Sequence, residues 1–225
     1  MSIEYYVDNR SGSCRRTTSV IKELGLDVVY KPIDLLQKEN KSDSFLALNP
    51  NSMLPVIIDR KAKQQPLILT EAMAINIYLC DTYGGTHLLP KDGTKRYQIL
   101  QWMSWAAEHF RQPAPIYFEE NVITQLMGTD PNTTRLQQAE FMLSKHGQVL
   151  DSHLANKCYV VGEKFSLADI DLASALSQMP YSKLPVDRFK HIMRWAKDLE
   201  KNHESWKYTG DLLHTGMRQA LNHTQ

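Results

Sequence analysis

Cysteine is scarce in this chain, with three in 225 residues: Cys14, Cys80 and Cys158. An odd, widely spaced set is no disulfide framework, and no pair has the short spacing of a zinc site, so no metal is expected. An excess of one charge is lacking too. Lys and Arg number 26 against 25 Asp and Glu, a net charge of +1. That balance gives no footing for nucleic acid or an anionic membrane surface as the main partner. No apolar run approaches the ~18 residues of a membrane span. The first residues, MSIEYYVDNR, carry Glu4 and Asp8 and lack a basic segment followed by an apolar one. No secretory leader is therefore expected, and a reducing cytoplasm is the expected setting. No repeat of fixed period is visible. What is present is ordinary for a globular chain: 42% hydrophobic and 23% charged residues, enough to bury a core without staples.

Two compositions follow one another along the chain. Ile3 to Asp8 is β-prone and ends at the turn cluster Asn9, Arg10, Ser11 and Gly12. Cys14, Thr17, Thr18, Ile21 and Leu24 then recur at helical steps, with Gly25 as the stop. Val28 to about Asp34, Leu54 to Asp59 and Leu67 to Leu69 read as further strands, with Arg60 to Pro66 as a polar hairpin turn. Thr70 is read as the cap of a helix that buries Ala72, Ile75, Ile77, Tyr78 and Leu79. Residues 1–84 thus form a small α/β layer opened by a βαβ unit. Residues 85–93 are a connector with Pro and Gly, and residues 94–225 contain nothing that reads as a strand. Arg96–Phe110 and Arg135–Leu154 read as helices, two more open at Ser166 and Asp187, and Met127–Thr134 reads as a loop.

Four places carry candidate chemistry. The first is Met53-Leu54-Pro55, where a proline opens a strand after a polar Asn-Pro-Asn-Ser turn. The bond before it is trans, as most are, or cis; a cis bond would turn the Leu54 backbone toward an extended ligand. The second is Thr70-Glu71-Ala72. Free N–H groups at a helix start attract a carboxylate, and Glu71 can accept from an ammonium, although simple capping explains the same residues. The third is the first strand-to-helix turn, with Ser11, Ser13 and Cys14. A serine there can cap the helix or donate to a thiolate, while Cys14 is either activated by the helix terminus or buried on the stripe of Thr18 and Ile21. No Cys-x-x-Cys is present. The fourth is an aromatic cluster, Trp102, Trp105, Phe110, Tyr117 and Phe118, around Pro113-Ala114-Pro115. Trp102 reads as bundle core; the others can line a cleft. Ser166-Leu167-Ala168-Asp169 is a structural capping box with Asp in the acidic place.

Taken in order, these pieces resemble the cytosolic glutathione S-transferase superfamily over nearly the whole chain. YVDNRSGSCRR looks like the theta class, whose pattern has a catalytic serine three residues before a Cys-Arg pair. ALNPNSMLPVI is similar to the family's Asn-Pro stretch, and GEKFSLADIDL to its capping-box signature. The resemblance implies a thioredoxin-like N-terminal domain followed by an all-α C-terminal bundle, the glutathione S-transferase fold. It implies a cis bond before Pro55 and Ser11 as the group that meets the thiol. Met53, Leu54 and Pro55 would hold the cysteinyl part of glutathione, Glu71 and Ala72 its γ-glutamyl end, and Asn40 or Lys41 its glycyl carboxylate. Trp105, His109 and Tyr117 would face a hydrophobic electrophile. The family's habit also implies a homodimer and a role in detoxification, with glutathione as co-substrate.

Departures are equally visible. The family usually has Ser where Ala72 stands, so one hydroxyl bond to a carboxylate, roughly 1.5–3 kcal/mol, is lost. The Arg60–Pro66 segment is longer than typical, and Ser13 competes with Ser11. A glutathione-dependent peroxidase or disulfide reductase, and a non-catalytic binding or regulatory protein on the same fold, are the alternative expectations.

Overall fold

The computed structural model describes residues 3–61 and 65–222. Strand β1 (Ile3–Val7) alternates buried and half-buried residues, so Ile3, Tyr5 and Val7 point into the core. Helix α1 (Gly12–Glu23) follows and ends near Gly25, whose φ of 58° only glycine adopts freely. Strand β2 (Val29–Pro32) returns parallel to β1, the expected βαβ unit. After a short helix α2 (Asp43–Leu46), strands β3 (Val56–Asp59) and β4 (Leu67–Leu69) form an antiparallel pair, with β3 also antiparallel to β1. The sheet order is β2-β1-β3-β4. The middle of the expected hairpin turn between β3 and β4, residues 62–64, lies outside the described residues.

Helix α3 (Ala72–Tyr83) closes this layer. Ala72, Ile75 and Leu79 are buried as the pattern predicts, while Ile77 and Tyr78 are half-buried. The expected cap fails. The N-cap position is Glu71, not Thr70, and no side chain caps the helix.

The rest of the described chain is helical: α4 (Thr94–Trp105), α5 (Pro113–Phe118), α6 (Thr124–Met127), α7 (Thr133–His153), α8 (Leu167–Ala173), α9 (Met179–Ser182), α10 (Lys190–Asn202) and α11 (Glu204–Asn222). Two wide turns, Ala106–Phe110 and Glu119–Ile123, extend α4 and α5 with π geometry. The helix expected from Asp187 starts three residues later, because Pro185 and the backbone turn at Phe189 hold the chain out of helix until Lys190. Nothing in the sequence pattern marked α5, α9 or α11. The capping box at Ser166 is present: the Ser166 N–H donates to Asp169 Oδ2 at 3.0 Å, and its hydroxyl does so at 2.9 Å. Asp169 Oδ1 accepts from the Val160 N–H and the buried Trp195 indole, so one carboxylate ties three segments.

The two halves share one core across α1. Eight consecutive residues of this helix, Cys14–Ile21, are buried, because it is packed on the sheet and α3 on one side and on α8 and α11 on the other. Two of the eight are arginines. Arg15 reaches Glu200, donates to the Trp206 carbonyl at 2.9 Å and lies 3.8 Å over the Trp206 ring. Arg16 pairs with Asp171 of α8. Each charge is thus neutralised across the junction of the sheet layer and the bundle, which is what its burial requires.

Candidate functional site

A cleft of about 490 Å³ opens between the β1–α1 turn, the start of α3, the segment from the wide turn after α4 through α5 to α6, the turn that follows α8, and α11. Its volume is in the range of small-molecule sites. Ser11, Gly12, Ser13, Arg16 and Glu71 form its sheet-side wall.

The β1–α1 turn is held by charge. Asp8 accepts from Arg10 Nε at 2.9 Å, from the Arg10 N–H at 2.9 Å and from the Leu35 N–H at 3.1 Å. Arg10 also pairs with Asp34, whose carboxyl it holds below its ordinary value. Ser11 then caps α1: its backbone is extended, and its Oγ accepts from the Cys14 N–H at 3.3 Å. That bond uses a lone pair of the hydroxyl and leaves its proton for a ligand. Ser13 lines the same wall, so the structure brings both serines to the cleft. Gly12 between them is closely approached, since a Cβ there would sit 3.1 Å from the Ser174 carbonyl oxygen and the backbone would have to give by a few tenths of an ångström. Cys14 turns away. It is 0% exposed, and burial pushes its thiol up to about 12. A buried structural cysteine is the reading that holds.

The Leu54–Pro55 bond is cis, as the resemblance implies. The Leu54 side chain is buried while Met53 is 62% exposed. Among the described residues no hydrogen bond uses the N–H or C=O of Leu54. Asn49 fixes the approach by donating Nδ2 to the Met53 carbonyl at 2.8 Å. Asn40 donates to the Ser52 carbonyl at 2.8 Å and Lys41 to the Ser52 hydroxyl at 2.7 Å, so both candidates gather beside this segment. These five residues, Asn40, Lys41, Met53, Leu54 and Pro55, lie beyond the cleft's own lining.

Glu71 faces the cleft and is exposed, with φ 64° and ψ 105°. A non-glycine residue held there costs about 1–3 kcal/mol, a strain that collects at binding sites. Because no side chain caps α3, the N–H groups of Ala72, Met73 and Ala74 have no acceptor among the described residues. Ala72 itself is buried by its methyl group.

The far wall departs from the sequence reading. Trp105, His109 and Tyr117 do not line the cleft. Trp105 and His109 lie against α7, where the His109 ring stacks on His146 at 4.6 Å. Tyr117 is buried and donates to Glu140 of the same helix at 3.0 Å. The cause is helix phase. Residues four apart share a face, so once Trp105 and His109 turn to α7, Ala107 and Arg111 turn to the cleft. The apolar lining is instead Ala107, Ala114, Pro115, Phe118, Val122 and Met217.

Two of the lining arginines converge on one aspartate buried behind the cleft. Arg16 and Arg111 both line the cleft and both meet Asp171. Arg16 follows the Cys-Arg pair of the resemblance but was given no role by it, and Arg111 carried no signal. Among the described residues no cluster of three or more His, Cys, Asp or Glu is placed to hold a metal, and no helix is long and apolar enough to cross a membrane.

Comparisons with known proteins agree with this architecture. Residues 1–81 match the family model for the glutathione S-transferase N-terminal domain, and residues 123–202 match that for the C-terminal domain. The chain is 35% identical to glutathione S-transferase F14 of Arabidopsis thaliana over 202 residues, covering 81% of this chain and 78% of that protein. It is 30% identical to glutathione S-transferase 3 of Zea mays over 185 residues, covering 80% and 81%. Among solved structures, glutathione transferase F7 of Populus trichocarpa superposes with a TM-score of 0.81 at 22% identity, over 94% of this chain and 99% of that one. A glutathione transferase homolog of Lodderomyces elongisporus, solved with two GSH per subunit, superposes with a TM-score of 0.82 at 19% identity, over 94% and 99%.

Proposed function

Since the chain belongs to the glutathione S-transferase family, we propose that it binds glutathione along the Leu54–Glu71 edge and conjugates it through its thiolate to a small hydrophobic electrophile in the adjoining cleft. The observation that carries this reading is the joint presence on one wall of Ser11 and Glu71, beside a helix start whose N–H groups are unused. Glu71 accepts from the γ-glutamyl ammonium, and the Ala72 N–H donates to the neighbouring carboxylate. The free N–H and C=O of Leu54 pair with the cysteinyl backbone. Asn40 and Lys41 release Ser52 to meet the glycyl carboxylate.

The cysteinyl sulfur then lies at the β1–α1 turn. A free thiol has a pKa of about 8.5, and a shift of two units needs about 2.7 kcal/mol of preference for the thiolate. A donated Ser11 hydroxyl bond together with the N-terminal end of α1 is of that size. The proton leaves to solvent. The thiolate attacks the electrophilic carbon, a C–S bond forms, and the leaving group departs with its bonding pair. The apolar lining around Phe118 and Met217 suits a compact hydrophobic body.

Calorimetric titration with glutathione, paired with the pH dependence of conjugation in Ser11→Ala, tests the reading. Expected are glutathione binding in both proteins and a thiol pKa raised toward its free value in the variant. Unchanged thiol ionisation in Ser11→Ala removes Ser11 from the role, and absent binding removes glutathione from the cleft. The redox alternative finds no support at Cys14, whose sulfur is buried and faces the core. The homodimer stays part of the proposal, checked by sedimentation.

A further inference from the structure

Three guanidinium groups line the cleft, and two are matched. Arg10 is clamped between Asp8 and Asp34. Arg16, with a side chain only 5% exposed, donates Nη1 to Asp171 Oδ1. Arg111 is different. Its one ionic partner among the described residues is Asp171 Oδ2, 3.9 Å from its Nε and beyond hydrogen-bond reach, on a carboxylate already engaged by Arg16. The Arg111 Nε, the Arg16 Nε and Asp171 Oδ2 are all buried and without a hydrogen bond. No hydrogen bond among the described residues uses a side-chain nitrogen of Arg111, although 79% of its side chain is removed from water, its exposure being 21%. Two guanidiniums therefore share a single carboxylate and leave one positive charge in excess.

The other charges around it do not remove that excess. Burial and the neighbouring Arg16 both lower the Arg111 pKa, while Asp171 and Glu71 raise it. Asp8 is already held by Arg10. Among the described residues Glu71 is the one remaining carboxylate on the cleft wall, and in the function proposed above it is occupied by the glutathione ammonium. With glutathione in place, Arg111 stands uncompensated beside Ala107, Ala114, Pro115 and Phe118. An unpaired, largely buried cation is costly unless a ligand neutralises it.

We propose that Arg111, backed by the Arg16–Asp171 pair, anchors an anionic group on the second substrate, so that the cleft selects electrophiles bearing a carboxylate on an apolar or aromatic body. This rests on the transferase reading and sharpens its substrate class. Planar guanidinium nitrogens match a carboxylate in two-point contact, and the excess charge favours an anion over its neutral isostere.

The test is binding, so that it stands apart from turnover. The wild-type protein is titrated calorimetrically with 4-chloro-3-nitrobenzoate and with the neutral 4-chloro-3-nitrobenzamide, with and without the unreactive S-methylglutathione. A charge-assisted contact of about 1.5 kcal/mol predicts a benzoate preference of about tenfold. The preference falls to near one in Arg111→Gln and is largely regained in Arg111→Lys. Equal affinity for the two compounds in the wild-type protein overturns the proposal, and that comparison needs no variant, so a folding defect does not shelter it. An undiminished preference in Arg111→Gln overturns it too. So does a weaker grip on S-methylglutathione in Arg111→Gln with an unchanged ratio, which gives the arginine to glutathione's own carboxylates. A preference without any conjugation leaves the anchor standing and sinks the transferase reading; conjugation without preference does the reverse.

Discussion

The two walls of the cleft were written into the chain in different ways. On the sheet side, Ser11 and Glu71 sit where a strand ends or a helix begins, and each is placed locally: Ser11 by the Asp8–Arg10 clamp and its own cap, Glu71 by its positive φ. On the helical side, Ala107, Arg111 and Phe118 face the cleft only because Trp105, His109 and Tyr117 face α7 instead. Local chemistry made the first wall. The phase of a helix against a distant partner made the second. In the function proposed above, the backbone-binding edge is accordingly generic, and specificity is assigned to the wall that tertiary packing sets.

The largest effect is expected where the two walls are joined. Arg16→Ala leaves Asp171 buried with only the distant Arg111 Nε for company. Breaking a buried pair from one side costs about 3–5 kcal/mol. Denaturant unfolding should show a loss of that size with an unchanged slope; a loss under 1 kcal/mol would mean that the junction is held by apolar packing alone.

Next in size is Ser11→Ala. Loss of the cap costs about 1 kcal/mol of stability, at the weak end given a 3.3 Å bond. Loss of the hydroxyl bond to a thiolate costs about 1.5–3 kcal/mol, or roughly 10- to 100-fold in kcat/KM below the thiol pKa. Conjugation assays beside thermal unfolding separate the two. A Ser13→Ala variant with the larger kinetic loss would move the role along the turn.

A smaller pair of changes measures the walls directly. Phe118→Ala should raise the electrophile's KM several-fold, about 1 kcal/mol, with little change for glutathione. Trp105→Ala should do the opposite, lowering stability by about 3 kcal/mol through lost packing while leaving the ratio of KM values for two electrophiles of different size near its wild-type value. If Trp105→Ala changes that ratio and Phe118→Ala does not, the helix phase described above is wrong.

These contrasts also say what was legible. The βαβ opening and the Ser166–Asp169 box could be read because turn residues and caps act on their neighbours, whereas the cis bond at Pro55 followed only from the family resemblance, the residues themselves leaving cis and trans open. The far wall could not, because α4 has bulky or apolar side chains on both faces, and periodicity does not say which face meets the bundle. Helix α1 hid its arginines for a related reason. It is buried all round, so Arg15 and Arg16 look like a solvated pair in sequence, and only Glu200 and Asp171, more than 150 positions away, explain them. Thr70 misled because its hydroxyl has the right chemistry for a cap, whereas the chain places Glu71 at that position in a conformation no propensity favours.

The contrast can be sharpened inside the β1–α1 turn itself, with the smallest perturbation of all. Ser11 and Cys14 are one helical turn apart, yet one faces the cleft and the other the core. With its pKa near 12, Cys14 is ionised at pH 8 to only about one part in ten thousand, and its sulfur is sealed from solvent. Cys80 is buried and pushed up to about 12 as well, whereas Cys158 is exposed. A thiol reagent applied to the folded protein at pH 8 should therefore label Cys158 alone, with Cys14 and Cys80 following only on unfolding. Peptide mapping of the labelled sites decides it. Rapid labelling of Cys14, slowed by added glutathione, would mean that its sulfur reaches the cleft after all, and the serine's place in the turn would pass to a thiol.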